Sequence, residues 1–287
     1  MKILLIGANG QLGSDLRDIV ANSPHSVIPL THSEIEVTQP QSIQAILTFH
    51  QPNVIINTAA YHKVDEVEQN PEKAFAVNAI APWHLALACR QQDIPLLFIS
   101  TDYVFGGDHL RHTPYTEQDL PAPLNIYGAS KLAGEALVRT AWEKHYVVRT
   151  SGLYGVRGAS GKGGNFVELM LRLANEGKDI KVVTDQRLTP TYTMDLAKKL
   201  LALIESEKYG LYHVTSEGEC TWYEFAAKIF ELSNLKPNLT PTTSAEFKTI
   251  AARPSYSVMA KNGIKSIGLP PMRHWHDALA DYLRART

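Results

Sequence analysis

The chain has 287 residues, 44% of them hydrophobic, and its 28 Lys and Arg against 29 Asp and Glu leave a formal net charge of −1. That length buries a sizeable core and accommodates a nucleotide domain with a smaller partner. The balanced charge, with no long basic stripe, argues against nucleic acid or an acidic membrane surface as the main partner, and no apolar run reaches a membrane-spanning length.

The first element is a nearly continuous apolar run at 2–6, as expected for a strand buried on both faces of a parallel sheet. It is too short for a signal peptide and turns polar by Asn9. Gly7 ends it, and Leu12, Leu16, Ile19 and Val20 then recur at helical spacing over 11–21. Between them lies Gly7-Ala8-Asn9-Gly10-Gln11-Leu12-Gly13. Glycines there permit a tight turn and the close approach of a pyrophosphate, while the new helix offers unpaired N–H groups to that anion. The spacing is G-x-x-G-x-x-G, a variant of the dinucleotide-binding fingerprint.

Strands are predicted next at 26–30, 53–57, 95–100 and 146–150, alternating with helices at 40–50, 71–92 and 125–143. This βα alternation specifies a Rossmann-type, doubly wound parallel sheet with right-handed crossovers. In the helix beginning after Asn70, Asn70 is a candidate cap and Pro71 suits the first turn. Pro82 cannot donate to the carbonyl of Asn78, which leaves an acceptor open either to a water near the proton relay or to a kink made for packing. After Thr150 the alternation weakens. The Gly- and Ser-rich stretch from Gly155 to Gly164 suggests a flexible loop over the site. Helices at 165–176, 193–206, 221–233 and 272–285, with short strands near 180–183 and 211–215, read as a smaller, interleaved C-terminal region. The expected division is 1–150, with part of 185–210, for the dinucleotide domain and 151–287 for a substrate region.

Ligands of such folds bind beyond the carboxyl ends of the strands. There lie Asn57-Thr58-Ala59-Ala60-Tyr61, whose small residues let a flat cofactor pass, Ser100-Thr101-Asp102-Tyr103-Val104-Phe105, and Arg149-Thr150-Ser151-Gly152-Leu153-Tyr154-Gly155. Tyr127 and Lys131, four residues apart, share one face of the helix at 125–143. A free phenol has a pKa of about 10, and a neighbouring ammonium is expected to lower it. Reducing a ketone needs a proton for the oxygen as hydride reaches the carbon, so Tyr127 is the candidate general acid. Thr101 is a second hydrogen-bond donor to that oxygen, and Lys131 can reach a ribose hydroxyl. The two cysteines, Cys89 and Cys220, have no metal-type spacing and read as free thiols of a cytoplasmic protein. No metal site is expected, and Asp15 reads as a solvated helix carboxylate.

These motifs together resemble the dTDP-4-dehydrorhamnose reductase family of the extended short-chain dehydrogenase/reductases. The likeness covers most of the chain, including Gly10-Gln11-Leu12-Gly13, Val64-Asp65, Pro123-Leu124-Asn125-Ile126-Tyr127-Gly128, Lys131-Leu132-Ala133-Gly134-Glu135 and Ala252-Arg253-Pro254-Ser255-Tyr256-Ser257. The resemblance implies NADPH or NADH as hydride donor and a 4-keto-6-deoxy nucleotide sugar as acceptor. It implies a catalytic set of Thr101, Tyr127 and Lys131, and a cofactor set of Gly7, Gly10, Gln11, Leu12, Gly13, Ala59, Ala60, Tyr61 and Asn78 together with Tyr127 and Lys131. Tyr103, Gly152 and Arg253 fall in its substrate region, and a homodimer is compatible with it. The family usually has Trp where Gly152 stands, so glycine here enlarges the pocket or removes a stacking wall, and His62 replaces a small hydroxyl residue. The end of the second strand, Pro29-Leu30-Thr31-His32-Ser33, has no acid before Glu34, which leans towards NADPH. Arg17 is a second, weaker candidate for a 2′-phosphate. Two other readings stand beside this one: a nucleotide-sugar epimerase or dehydratase of the same superfamily, and a non-catalytic subunit similar to that of methionine adenosyltransferase.

Overall fold

The computed structural model describes residues 1–157 and 164–286. Of the loop expected from Gly155 to Gly164, residues 158–163 therefore lie outside the described residues. The chain begins with β1 (Lys2–Ile6), α1 (Gln11–Ala21), β2 (Ser26–Leu30), α2 (Pro40–His50), β3 (Val54–Asn57) and the short α3 (Val64–Glu68). Helices α4 (Pro71–Phe75) and α5 (Ala81–Gln91) follow, joined by a π-helical turn over Ala76–Ile80. Next come β4 (Leu96–Thr101), a 3₁₀ turn at Asp102–Val104, α6 (Ile126–Ala141) and β5 (His145–Thr150).

The remaining elements are β6 (Leu153–Tyr154), α7 (Phe166–Asn175), β7 (Ile180–Val183), β8 (Arg187–Leu188), β9 (Thr191–Tyr192), α8 (Thr193–Glu205) and β10 (Gly210–His213). The chain ends with β11 (Cys220–Thr221), α9 (Trp222–Leu232), β12 (Leu239–Thr242), α10 (Asn262–Ser266) and α11 (Trp275–Ala285).

Six parallel strands in the order β10-β5-β4-β3-β1-β2 form the central sheet. The chain leaves β1 towards β2 and then returns to the other side for β3, so the direction of winding reverses beside β1. That reversal opens the crevice in which doubly wound folds bind nucleotides. The sheet is buried on both faces, which explains its near-continuous apolar strands. On one face Leu12, Leu16 and Val20 of α1 meet Leu196, Leu200 and Leu203 of α8 over Leu5, Leu97 and Val148. On the other, Leu47, Leu85, Cys89 and Val138 pack over Leu4, Ile55 and Phe98. A separate core joins α7, α9 and α11 through Met170, Phe225, Ile229, Leu279 and Tyr282.

The stretch expected as a strand near 211–215 in the smaller region instead supplies the sixth sheet strand, β10, alongside β5. Tyr212 and Val214 sit in the same apolar cluster as Tyr146 and Val148, which draws that strand into the sheet. The single helix expected over 71–92 is interrupted: the π turn widens the backbone just before Pro82, so the proline falls in the first turn of α5, where its missing N–H costs little. Asn70 is the N-cap by position but makes no capping bond, because its side-chain amide donates to the Glu66 carbonyl instead. Asp15 is buried and accepts a hydrogen bond from Thr193, so it ties α1 to α8 and is not a solvated carboxylate. Burial raises its pKa.

Candidate active site

The glycine turn sits at the carboxyl end of β1. Gly7 has φ +83°, and a Cβ there would come within 2.6 Å of Thr58 Oγ1 and 2.9 Å of the Ala59 nitrogen. A Cβ on Gly13 would overlap the Gly7 carbonyl oxygen, so a glycine lets α1 approach the turn closely. Gly10, the N-cap of α1, contributes no side-chain cap, which leaves the first-turn N–H groups for an anion. Gln11 holds this turn to the second half of the chain: its amide oxygen accepts from the Gly155 N–H at 2.9 Å and from Asn165 Nδ2 at 3.1 Å.

Two adjoining cavities open from the turn. One of about 350 Å³ is lined by Gly7, Asn9, Thr31, His32, Glu36, Ala59, Tyr61 and Lys73. The other, about 300 Å³, is lined by Gln11, Leu12, Gly13, Thr101, Tyr103, Tyr127, Lys131, Thr150 and Gly152. Gly10, Thr58, Ala60 and His62 line both, so the two form one trench over the strand ends. Its dimensions and mixed lining suit a dinucleotide with its adenosine over β2 and its nicotinamide at β4. At the adenosine end Glu34 is folded back, accepting from the Thr31 N–H (2.6 Å) and hydroxyl (2.8 Å), and Glu36 is likewise engaged by Thr38. Arg17 is exposed and lines neither cavity.

Tyr61 lies along the trench wall, with the Lys73 ammonium 4.8 Å from its ring centre. Asn78, by contrast, is fully buried behind that wall. Its side chain accepts from the Tyr61 N–H at 2.9 Å and donates to the Tyr61 carbonyl and Ser130 Oγ. Its main-chain carbonyl lies against Gly134 of α6, where a Cβ would collide with the oxygen. The Asn78 carbonyl before Pro82 thus lies at the contact with α6, and its side chain holds the Tyr61 main chain without lining either cavity.

Thr101 closes β4, and Asn125 caps α6 by accepting from the Gly128 N–H at 2.8 Å. This cap places Tyr127 in the first turn of α6, where its phenol pairs with the Thr101 hydroxyl, and Lys131 one turn later. The expected lowering of the Tyr127 pKa does not occur: burial dominates and pushes it up to about 12, with the Thr101 bond pulling the other way. Lys131 fails to counter this because its own charge is costly. Burial takes Lys131 down to about 7, partly offset by Glu135, and its ammonium rests 3.9 Å from the centre of the Phe98 ring. At neutral pH the phenol therefore carries its proton, the state a general acid needs.

Asp102 is a site residue that sequence reasoning passed over. Its buried carboxylate accepts from Thr101 (3.2 Å), Ser151 (2.9 Å) and Ser257 (2.6 Å), joining the ends of β4 and β5 to the segment after Arg253. Burial raises its pKa to about 6 against the three hydroxyl bonds that lower it. The Ser-Thr-Asp run was visible in sequence, but its hydroxyl partners come from distant segments.

Beside the catalytic candidates, Tyr103 packs edge-on to Tyr127 with ring centres 5.9 Å apart. Arg253 forms a two-pronged pair with Asp65 (3.2 and 2.7 Å), and its charge also faces Tyr103. Gly152 does line the cleft, but it has φ +56°, and a Cβ would lie 2.9 Å from Leu188 Cδ1 and 3.1 Å from Pro190 Cα. The backbone there favours glycine, and any side chain would be strained. Trp222, which no local motif announced, lines the cleft beside Gly152 and Leu188. It also borders a third cavity of about 630 Å³ that contains Asp65, Arg253, Phe166 and Phe247. Among the described residues no cluster of His, Cys, Asp and Glu could hold a metal ion, and no helix is long and apolar enough to cross a membrane.

Comparison with known proteins agrees with this geometry. The family model described as the RmlD substrate binding domain matches residues 1–287. The dTDP-4-dehydrorhamnose reductase of Mycolicibacterium smegmatis is 40% identical over 286 residues, covering 99% of this chain and 85% of that protein. The crystal structure of dTDP-4-dehydrorhamnose reductase from Bacillus anthracis in complex with NADP superposes with a TM-score of 0.94 at 40% identity, covering 99% of each chain. The UDP-glucose 4-epimerase of Thermus thermophilus, with a TM-score of 0.84 at 18% identity over the full length of both chains, shares the fold alone.

Proposed function

The chain belongs to the RmlD substrate binding domain family, and from that premise we propose that it is an NADPH-dependent reductase of a dTDP-linked 4-keto-6-deoxy sugar. The acceptor we favour is dTDP-4-dehydro-L-rhamnose, which would become dTDP-L-rhamnose. The observation that carries the reading is the protonated Tyr127 phenol paired with Thr101, with Lys131 one turn away, at the end of a trench that begins at the glycine turn.

NADPH, when bound, supplies the hydride from its nicotinamide. Gly7, Gly10, Leu12 and Gly13 would give the pyrophosphate a close, uncapped helix end. Ala59, Ala60 and Tyr61 would form the wall along which the cofactor lies. At the end of β2, Glu34 is folded back onto Thr31, which leaves His32 to face a 2′-phosphate beside the Glu36 carboxylate. As hydride reaches the ketone carbon, Tyr127 gives its phenolic proton to the carbonyl oxygen, forming the alcohol and a phenolate. The Lys131 ammonium then stabilises the phenolate, beside a Thr101 hydroxyl held by Asp102. Tyr103 and Arg253 would meet the sugar nucleotide, with Gly152 leaving space beside Trp222. Two buried thiols and a nucleotide-sugar substrate suit a cytoplasmic enzyme.

The test is NADPH oxidation with a panel of dTDP-, UDP- and GDP-linked 4-keto sugars. The reading expects turnover with the dTDP-linked 6-deoxy sugar. Protein that purifies with tightly held NAD and rearranges sugars without net oxidation of NADPH would point to the epimerase class.

A further inference from the structure

Thr150, the last residue of β5, lies directly across the sheet ladder from Thr101. It is 4% exposed, and its hydroxyl has no hydrogen-bond partner. Among the described residues, buried side-chain groups without partners also occur at Tyr115, Glu117, Tyr154, Ser216, Glu217 and Trp275. Of these groups, Thr150 alone lines the cleft that holds Tyr127 and Lys131. A buried hydroxyl left unpaired is costly, so its persistence at a ligand cavity calls for a partner that arrives with the ligand.

The direction of the side chain indicates which ligand. Neighbouring residues of a strand point to opposite faces. Arg149 points towards α6, where it pairs with Glu135 at 2.6 Å. Thr150 therefore points to the face of α1, the face on which Val148 packs with Leu12 and Leu16. Gly10 to Gly13 and Leu153 line the cavity on that side. A cofactor running from the glycine turn towards Tyr127 places its nicotinamide end there, and the carboxamide of that ring is both donor and acceptor.

We propose that Thr150 is a cofactor-binding residue whose hydroxyl hydrogen-bonds the nicotinamide carboxamide. The inference rests on the reading of the trench as an NADPH site. Thr150→Val keeps the shape of the side chain and removes only the hydroxyl. The free protein should melt at an unchanged or higher temperature, because no bond is lost. Its Kd for NADPH should rise about three- to tenfold, the range for a single hydrogen bond. Its Kd for adenosine 2′,5′-bisphosphate, which lacks the nicotinamide, should not change, and Thr150→Ser should retain the wild-type Kd for NADPH.

An unchanged Kd for NADPH would overturn the proposal, as would an equal loss of affinity for both ligands or a lower melting temperature of the free protein. A raised KM for the sugar with unchanged NADPH affinity would assign the hydroxyl to the substrate instead and overturn it equally. Wild-type protein that does not bind NADPH at all would be a failure of the functional reading, seen before any variant is compared.

Discussion

Replacing Gly152 separates a backbone requirement from a pocket wall. With φ +56°, the residue occupies a region in which a side chain costs about 1–2 kcal/mol. The added Cβ would also press on Leu188 Cδ1 at 2.9 Å and Pro190 Cα at 3.1 Å. Leu188 can yield, whereas the Pro190 contact is with backbone, and such overpacking adds about 1–3 kcal/mol. The Gly152 carbonyl also accepts from the Thr191 N–H at 3.1 Å, so a shift there disturbs the pairing of β6 with β9. Gly152→Ala should therefore destabilise by about 2–5 kcal/mol, a fall in melting temperature of roughly 4–20 °C for a chain of this size. Gly152→Trp meets the same backbone penalty before its ring reaches the sugar. Thermal unfolding followed by circular dichroism, with KM measured for each variant, provides the assay. A Gly152→Ala protein melting within about 1 °C of wild type would refute the argument and return Gly152 to the role of a missing wall.

Tyr127→Phe should fold and bind NADPH as wild type does, with turnover lower by about 10²-fold or more in a stopped-flow assay, the usual loss for a general acid. Lys131 has a pKa reduced by burial from 10.5 to about 7, so between those values the unfolded chain holds more protons and the stability of the ligand-free protein should rise with pH. Lys131→Met should flatten that rise in melts taken across the window. It should also abolish the proton uptake that titration calorimetry in two buffers detects when the anionic cofactor binds near pH 8. Asp102 has its pKa raised from 3.8 to about 6, so its ionisation opposes folding as pH climbs through that interval. Asp102→Asn should gain stability relative to wild type from about pH 4 to 7, yet lose turnover because the Thr101 hydroxyl loses its charged acceptor. Turnover equal to wild type would show that Thr101 needs no such orientation.

Much of the first half was legible because its signals are local. A four- to six-residue apolar run followed by Gly7, and the α1 and α2 patterns, depend on neighbours within one turn, and both helices occur where their periodicity placed them. The short pairs β6–β9 and β8–β11 escaped because two residues carry no periodicity and their partners lie more than 30 residues away. Strand β10 was visible as a strand, but its place beside β5 follows from burial of Tyr212 and Val214, which no local pattern encodes.

At the site, the motif spacing brought Thr101, Tyr127 and Lys131 to one cavity. Their proton affinities were misjudged because spacing reveals the neighbouring charge and not the burial that outweighs it. Asp102, Trp222 and Thr150 were passed over for a related reason: each is made significant by what surrounds it in three dimensions. Gly152 was noticed through the resemblance, while its backbone angle was not available from composition or pattern.

The most direct test of the account follows the hydride. NADPH deuterated at the transferring position of the nicotinamide is incubated with the wild-type chain and dTDP-4-dehydro-L-rhamnose, and the product is read by NMR. The account predicts one equivalent of NADP formed per dTDP-L-rhamnose, with the deuterium on the former ketone carbon. Deuterium retained on an unconsumed cofactor, or a product labelled only from deuterated solvent, would contradict it.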